Sequence, residues 1–184
     1  MNNQTSQISK DEQQMINAAF GGDRDAFGHL VTMYQTPVYS ICWRYLKNED
    51  ARDAAQEVFI KAFVRREQYT TGRAALPWLM TIARNLCIDR LRTKRIETPI
   101  ETCSEPRSLD ATAEEKLVTR QSLSIIQQQM EKLPEGQREA ILLHHVEGLA
   151  YKEISDVLGI PQGTVMTWLH RGRKTLLSAL SKRG

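Results

Sequence analysis

Apolar residues recur at intervals of three and four along most of the chain, which is the spacing of one face of an α-helix. The two clearest stripes in the first half are Phe27, Leu30, Val31 and Tyr34, followed by Ala55, Val58, Phe59, Ala62 and Phe63. No segment shows the sustained alternation or the hairpin turns of β-strands. The pattern therefore predicts an all-α protein, with helices in this half at about 11–20, from Asp23, from about Asp50 and at about 75–95.

The second half returns to this helical spacing after a segment that has no periodicity. That segment contains two prolines and several Ser and Thr residues, which favour loops. Helical stripes resume at Leu123, and further helices are predicted at about 135–146, 150–158 and 162–180. The sequence therefore predicts two small helical domains joined by a flexible acidic linker, with boundaries at 1–95, 96–115 and 116–184.

The stretch from 153 to 176 breaks one helix and restarts another at once. Gly159 permits the left-handed conformation that ends a helix, and Pro161 suits the first turn of the next. At ~100° per residue, one side of the second helix carries Val165, Leu169, Gly172 and Leu176, and the opposite side carries Gly163, Met166, Thr167, His170, Arg171 and Lys174. A basic outer side is typical of a helix-turn-helix that enters the DNA major groove. From the turn alone, an ordinary helical hairpin with a solvated basic face stays open as the alternative.

Charge divides the chain into three blocks. Residues 1–95 hold fourteen Lys and Arg against ten Asp and Glu, and residues 116–184 hold ten against six, so each block has a net charge of +4. Between them, residues 96–115 hold one basic residue against six acids, a net charge of −5. Two basic blocks favour an anionic partner such as nucleic acid.

Composition argues against several other classes of protein. No apolar run approaches the ~20 residues of a membrane span, and the polar start lacks the apolar stretch of a signal peptide, so we expect a soluble, cytoplasmic protein without membrane insertion. The three cysteines form no CxxC motif and are expected to be free thiols. The four histidines form no ligand cluster, and no phosphate-binding glycine loop is present. We therefore expect no enzyme, no metal site and no cofactor.

Three stretches resemble regions of bacterial sigma factors. LPEGQREAILLHHVEGLAYKEISDVLGIPQGTVMTWLHRGRKTLLSAL resembles region 4, with matching elements at Leu133-Pro134, Arg138, Glu147-Gly148, Glu153-Ile154, Leu158-Gly159-Ile160-Pro161, Gly163-Thr164-Val165 and Leu169-His170-Arg171. DARDAAQEVFIKAF (50–63) resembles region 2.2, and PWLMTIARNLCIDRLRTKR (77–95) resembles regions 2.3–2.4. Their order and short connection resemble the layout of the extracytoplasmic-function (ECF, group 4) sigma factors, which have no region 3 domain between these two.

The resemblance implies two sets of contact residues in the first domain. In the family, the helix matching 53–63 docks on the clamp helices of the large polymerase subunit, which implies core-polymerase contacts at Asp53, Gln56, Glu57, Phe59, Ile60 and Lys61. The helix matching 78–95 opens the −10 promoter element, which implies DNA contacts at Trp78, Arg84, Asn85, Asp89, Arg90, Arg92 and Arg95. A merely solvated helix surface for the first set, and a locally bonded amide for Asn85, stay open as simpler interpretations.

The resemblance assigns the last helix to the −35 promoter element. Recognition helices place their N-terminal residues at base edges, so base contacts are expected mainly from Gln162, Thr164, Met166, Thr167 and Arg171. His170 lies on the same exposed side, and Arg173 and Lys174 lie further along, where phosphate contacts are expected.

The resemblance also implies the partners. They are core RNA polymerase, through its large clamp subunit and its flap, promoter DNA, and an anti-sigma factor. In the family the linker threads through the RNA channel of the polymerase, although an acidic segment is equally typical of a plain solvated linker. A self-sufficient helix-turn-helix regulator, whose first domain senses a ligand or dimerises, is the alternative function.

Two positions depart from the family pattern. Family members usually carry a bulky aromatic residue three positions before the tryptophan that matches Trp78, and this chain has Ala75 there. The −10 loop is therefore expected to be less rigid or differently shaped. Family members usually carry a basic residue where this chain has Trp168. Large aromatic side chains are mostly buried, so we expect Trp168 to cover the edge of the core rather than to contact DNA.

Overall fold

A computed structural model describes residues 10–46, 48–97 and 126–181 of the 184-residue chain. Within these ranges the regular structure is helical and there are no strands, which confirms the all-α prediction. The chain divides into two compact units, the first built on the helices before residue 98 and the second on the helices after residue 125. The greater part of the predicted acidic linker, 98–115, lies outside the described residues.

In its described residues the first unit contains four α-helices and one short 3-10 turn. They are α1 (Lys10–Phe20), α2 (Arg24–Leu46), α3 (Asn48–Val64), a 3-10 turn (Arg66–Gln68) and α4 (Ala75–Glu97). Gly22 has a φ of 103°, in the left-handed region that favours glycine, and it separates α1 from α2. The Asp23 carboxylate then accepts the backbone N–H groups of Asp25 (2.9 Å) and Ala26 (3.0 Å). Asp23 therefore caps α2, as the sequence predicts.

Helix α2 forms the centre of the first unit, because it packs against α1, α3 and α4. Its side chains Leu30, Val38 and Ile41 are fully buried, and Val58 of α3 and Leu79 of α4 are buried with them. Full burial of an aliphatic side chain of this size is worth roughly 1.5–3 kcal/mol. Most residues of the predicted stripes on α2 and α3 therefore belong to the core of this unit, and Phe27, Val31 and Phe63 are half-buried at its edge.

The second unit begins with a helical segment at 126–132, here α5, and continues with α6 (Glu135–His145), α7 (Tyr151–Leu158) and α8 (Gln162–Ser181). The Glu153 carboxylate accepts the N–H of Ala150 (2.7 Å) at the start of α7. Gly159, with a φ of 66°, ends α7, and the Pro161 carbonyl accepts the N–H of Thr164 (2.9 Å) in the first turn of α8. The break and restart are therefore those that Gly159 and Pro161 predict.

Two glycines allow α6 and α8 to approach closely. A Cβ atom at Gly172 of α8 would overlap Cδ1 of Ile141, and a Cβ atom at Gly136 of α6 would overlap the ring of Trp168. Ile141 of α6 thus packs against Gly172 of α8, and Trp168 of α8 packs against Gly136 of α6. Val165 and Leu169 are buried on the same side of α8. This side of α8 is therefore fixed against α6.

Substitution of Gly172 by Ala tests this packing. Gly172→Ala is expected to lower the free energy of unfolding of the second unit by about 1–3 kcal/mol, because the new methyl group overfills a closely packed contact. Thermal and urea unfolding of the full chain measure the change.

Gly163→Ala is the matched control on the same helix, since nothing lies within 4 Å of a Cβ atom there. It is expected to leave the stability unchanged or to raise it slightly through helix propensity. Ile141→Val, which removes Cδ1, is expected to recover part of the loss in Gly172→Ala. Equal effects of the two glycine substitutions would contradict the interlocked packing.

Candidate nucleic-acid interface

The outer side of α8 is an exposed surface with a basic end. Six residues of the predicted outer side are exposed, namely Gly163, Met166, Thr167, His170, Arg171 and Lys174. Gln162 is exposed at the N-terminal end, and Thr164 is half-buried. Met166 has 53% of its surface exposed, so its apolar side chain is open to solvent on this side of α8. The predicted division of α8 into a buried and an exposed side is therefore confirmed.

Arg173 differs from the other basic residues of α8, because it has a partner within the unit. Its Nε donates a hydrogen bond to Nε2 of His145 at the end of α6, over 3.0 Å. The sequence gives no signal for this pair, since the two residues are 28 positions apart and His145 is adjacent to His144 on a helix of its own. His145 is thus a residue at this surface that sequence reasoning missed.

Trp168 lies at the edge of the core, as expected. It is half-buried, and its ring atoms Cζ3 and Cη2 occupy the space in which a Cβ atom of residue 136 would stand. The ring therefore covers the start of α6 instead of pointing away from the unit. The absence of a side chain at Gly136 is the feature that accommodates a tryptophan here.

The outer face of α3 in the first unit carries both polar and apolar side chains. Asp53 and Gln56 are exposed, and Ile60 has 63% of its surface exposed. Phe59, by contrast, is only 8% exposed and belongs to the core, and the small surface that it keeps lines a groove between α2 and α3. Of the residues predicted to contact polymerase, Asp53, Gln56 and Ile60 are thus the ones that present a free surface.

An open groove of about 570 Å³ runs beside this face, between α2 and α3. Its lining residues are Val31, Gln35, Thr36, Tyr39, Arg52, Ala55, Gln56 and Phe59. Gln56 therefore lies both on the outer face of α3 and at the edge of this groove, whose floor is apolar. The groove is rimmed by the Gln56 amide and by Arg52.

Glu57 of α3 is engaged within the protein. Its two carboxylate oxygens pair with Arg90 of α4 (2.5 Å) and with Lys61 one turn along α3 (2.9 Å). Hydrogen bonds from Lys61 and Arg90 hold the pKa of Glu57 below its usual value. Arg90 also donates to the backbone carbonyl of Asp50 (3.2 Å). Glu57 and Arg90, expected at two different interfaces, are therefore brought together as a link between α3 and α4.

The other residues predicted for the −10 element lie along α4. Asn85, Asp89 and Arg92 are exposed, and Arg84 is half-buried. The side chain of Arg95 lies outside the described residues. One length of α4 thus presents an amide, a carboxylate and guanidinium groups, which are the groups that bond base edges and phosphates.

Trp78 is part of an aromatic cluster at the start of α4. Its ring lies 5.1 Å from Phe20 and 5.7 Å from Tyr69, and Phe20 and Tyr69 are 4.1 Å apart, all between ring centroids. The Tyr69 hydroxyl donates to the backbone carbonyl of Arg73 across the preceding loop. Ala75 is fully buried. Phe20 and Tyr69 thus provide the aromatic packing around Trp78 that the sequence does not place at position 75.

Other chemistry is limited in the part of the chain that the structure describes. No group of three or more His, Cys, Asp or Glu residues there is placed to hold a metal ion. Cys42 and Cys87 are buried free thiols, and the pKa of Cys42 is raised by its hydrogen bond with Cys87 and by burial. Cys103 lies outside the described residues. None of the described helices is long and apolar enough to span a membrane.

Family models match both units. The Sigma-70 region 2 model covers residues 30–96, and the Sigma-70, region 4 model covers residues 123–176. A helical unit with a region 2 match, followed by a helix-turn-helix with a region 4 match, defines a sigma factor, a protein of transcription initiation.

Curated relatives narrow this class. The chain is 36% identical over 170 residues to the ECF RNA polymerase sigma factor SigW of Bacillus subtilis, which covers 86% of this chain and 91% of SigW. It is 30% identical to the ECF RNA polymerase sigma-E factor of Haemophilus influenzae, over 90% of this chain and 93% of that protein. The chain therefore belongs to the ECF RNA polymerase sigma factors.

Solved structures share the fold. One is CnrH in complex with the cytosolic domain of CnrY, with a TM-score of 0.65, 23% identity, and coverage of 94% of this chain and 98% of CnrH. Another is the sigma factor RpoE of Bartonella quintana in complex with the anti-sigma factor NepR, with a TM-score of 0.66, 22% identity, and coverage of 84% and 96%.

Truncation of Trp168 tests its place at the core edge. Trp168→Ala is expected to lower the melting temperature of the second unit by about 4 °C or more, because each kcal/mol lost shifts the melting temperature of a small domain by about that much. Thermal unfolding of the full chain measures it, with Met166→Ala as the matched control on the exposed side of α8. If Trp168→Ala left stability unchanged and altered promoter choice instead, Trp168 would be a specificity residue.

Proposed function

We propose that this sigma factor brings core RNA polymerase to specific promoters, with the first unit on the polymerase and the −10 element and the second unit on the −35 element. The observation that carries the proposal is the exposed side of α8, since it combines an apolar, a hydroxyl-bearing and two basic side chains behind a helix break. That combination suits base edges and phosphates of a major groove. Region 2 in the same chain supplies the link to the polymerase.

We propose that the polymerase contact is centred on Asp53, Gln56 and Ile60, beside the groove between α2 and α3. Interfaces are stabilised by a few apolar anchors with polar groups around them, and this face has both. Lys61 lies at the edge of the same face. Glu57 has a supporting role in this proposal, since its carboxylate is occupied by Arg90 and Lys61.

For the −10 element we propose that Asn85 pairs with a base edge, while Arg84 and Arg92 bind phosphates. Strand opening needs groups that hold an unpaired strand, and amide and guanidinium groups do so. Asp89 and Arg95 lie on the same helix, and Trp78 anchors its start. Arg90 is assigned to the link with Glu57 rather than to DNA.

For the −35 element we propose base contacts from Gln162, Thr164, Met166, Thr167 and Arg171. The apolar Met166 side chain suits a thymine methyl group, and the Arg171 guanidinium suits guanine. His170, Arg173 and Lys174 are assigned to the phosphate backbone. The exposure of most of these side chains and their order along α8 support the assignments, and Thr164 and Arg173 are half-buried.

We propose further that an anti-sigma factor controls this protein in the cytoplasm, without a catalytic step of its own. RpoE, which shares the fold, is bound by the anti-sigma factor NepR in its solved complex. Family membership supports the same kind of control here. Residues 96–115 are proposed as the linker between the two units.

Reconstituted initiation tests the proposed function. Core polymerase with this chain is expected to transcribe from its promoter, whereas neither component does so alone. Asp53→Ala with Gln56→Ala is expected to weaken core binding by about tenfold, equivalent to ~1.4 kcal/mol, without loss of stability. A chain that bound DNA tightly alone and left core polymerase inactive would instead be a self-sufficient regulator.

Substitutions on α8 separate base contacts from phosphate contacts. Arg171→Ala is expected to relax the preference at one or two −35 positions, by roughly 1–3 kcal/mol for a lost bidentate contact. Lys174→Ala is expected to weaken all promoters about equally and to flatten the salt dependence by about one unit. A set of −35 variant promoters, transcribed at several salt concentrations, measures both. Identical promoter profiles of the two variants would contradict the assignment.

A further inference from the structure

Arg173 and His145 form a side-chain contact between α8 and the end of α6. Arg173 Nε donates to His145 Nε2 over 3.0 Å. Because Nε2 accepts this bond, the neutral His145 ring carries its proton on Nδ1. An arginine has five N–H donors in a rigid fork, so a bond through Nε leaves both terminal amino groups for another acceptor. The contact therefore restrains the guanidinium and leaves its two terminal amino groups for an anion.

His145 is itself held in place by its neighbour. The His144 ring lies 4.8 Å from the His145 ring and 5.1 Å from the Tyr151 ring, between centroids. His144 Nδ1 donates to the carbonyl of Leu149 over 2.9 Å. The acceptor offered to Arg173 thus belongs to a small group of rings between α6 and α7, and not to a lone surface side chain.

The electrostatic surroundings keep His145 in the state that accepts. His145 is an exposed residue, but the partial burial of its ring lowers its pKa, and the positive charge of Arg173 and the adjacent His144 lower the pKa further. Arg173 from α8 and His144 from the same helix are the charged and titratable groups that act on His145 among the described residues. At neutral pH the ring is therefore uncharged and able to accept.

We propose that His145 is a positioning residue for promoter binding, which holds the Arg173 guanidinium so that its terminal amino groups meet a phosphate beside the −35 element. The inference rests on the proposed function of α8 as the −35 helix. A flexible arginine loses side-chain freedom when it binds a phosphate. Arg173 has already lost part of this freedom before DNA arrives, so less is lost on binding.

Affinity of the assembled holoenzyme for a −35 promoter fragment tests the contact. His145→Phe keeps a ring of similar size but removes the acceptor, and it is expected to weaken binding by about threefold to tenfold at pH 8, the effect of one hydrogen bond. His145→Gln places a non-titrating amide oxygen near Nε2 and is expected to recover the affinity. In an Arg173→Ala background, His145→Phe is expected to have no further effect.

The pH dependence of promoter affinity distinguishes a positioning role of His145 from a merely structural one, which would leave this dependence unchanged. Protonation of His145 removes the acceptor and repels Arg173, so wild-type affinity relative to His145→Gln is expected to fall as pH drops from 8 towards 5.5. His29, His144 and His170 are unchanged in both proteins, so the two proteins differ only at residue 145. A histidine that simply faced phosphate would give the opposite sign, because its positive charge would strengthen binding at low pH.

The outcomes separate this inference from the proposed function. If Arg173→Ala weakens promoter binding but His145→Phe does not, or if the ratio rises at low pH, the positioning role is wrong and the −35 function stands. If neither Arg173→Ala nor any −35 base change affects binding, the assignment of α8 to the promoter is itself wrong. Unchanged thermal melting of His145→Gln shows that the comparison reports binding rather than unfolding.

Discussion

Burial of one apolar side of each helix is the constraint that decides which residues can meet a partner. Helix α2 lies at the centre of the first unit because its side chains Leu30, Val38 and Ile41 are buried against the other helices. The outer residues of α3 therefore face away from this core. Val165 and Leu169 are buried in the same way on α8. The surfaces assigned to polymerase and DNA are thus the sides that the cores do not need, and their geometry is as fixed as the packing behind them.

Some charged residues predicted to contact a partner instead bond to one another within the first unit. Glu57, Lys61 and Arg90 form a linked group in which a carboxylate of α3 holds a guanidinium of α4. Partly exposed pairs of this kind add only ~0–1 kcal/mol of stability. Their larger effect is on position, since Arg90 also bonds the carbonyl of Asp50 and so ties the helix proposed for −10 binding to the helix proposed for polymerase binding.

Local features were predictable from the sequence, and contacts between distant residues were not. The helices, the cap at Asp23, the break at Gly159 and the exposed side of α8 follow from periodicity and backbone preferences within a few residues. The Glu57–Arg90 and His145–Arg173 pairs join residues 33 and 28 positions apart, and no local pattern marks either. Likewise, the contact of Phe20 with Trp78 depends on how α1 packs against α4, and the residues next to position 75 in the sequence give no indication of it.

The separation of the two sides of α8 has a consequence for how such factors diverge. Met166, Thr167 and Arg171 are exposed, and the contacts that fix α8 against α6 are made by Trp168, Gly172 and the buried aliphatic residues. Substitutions on the exposed side therefore leave the contacts between α8 and α6 intact. The surface that α8 offers to a partner can thus change while the fold of the second unit stays the same.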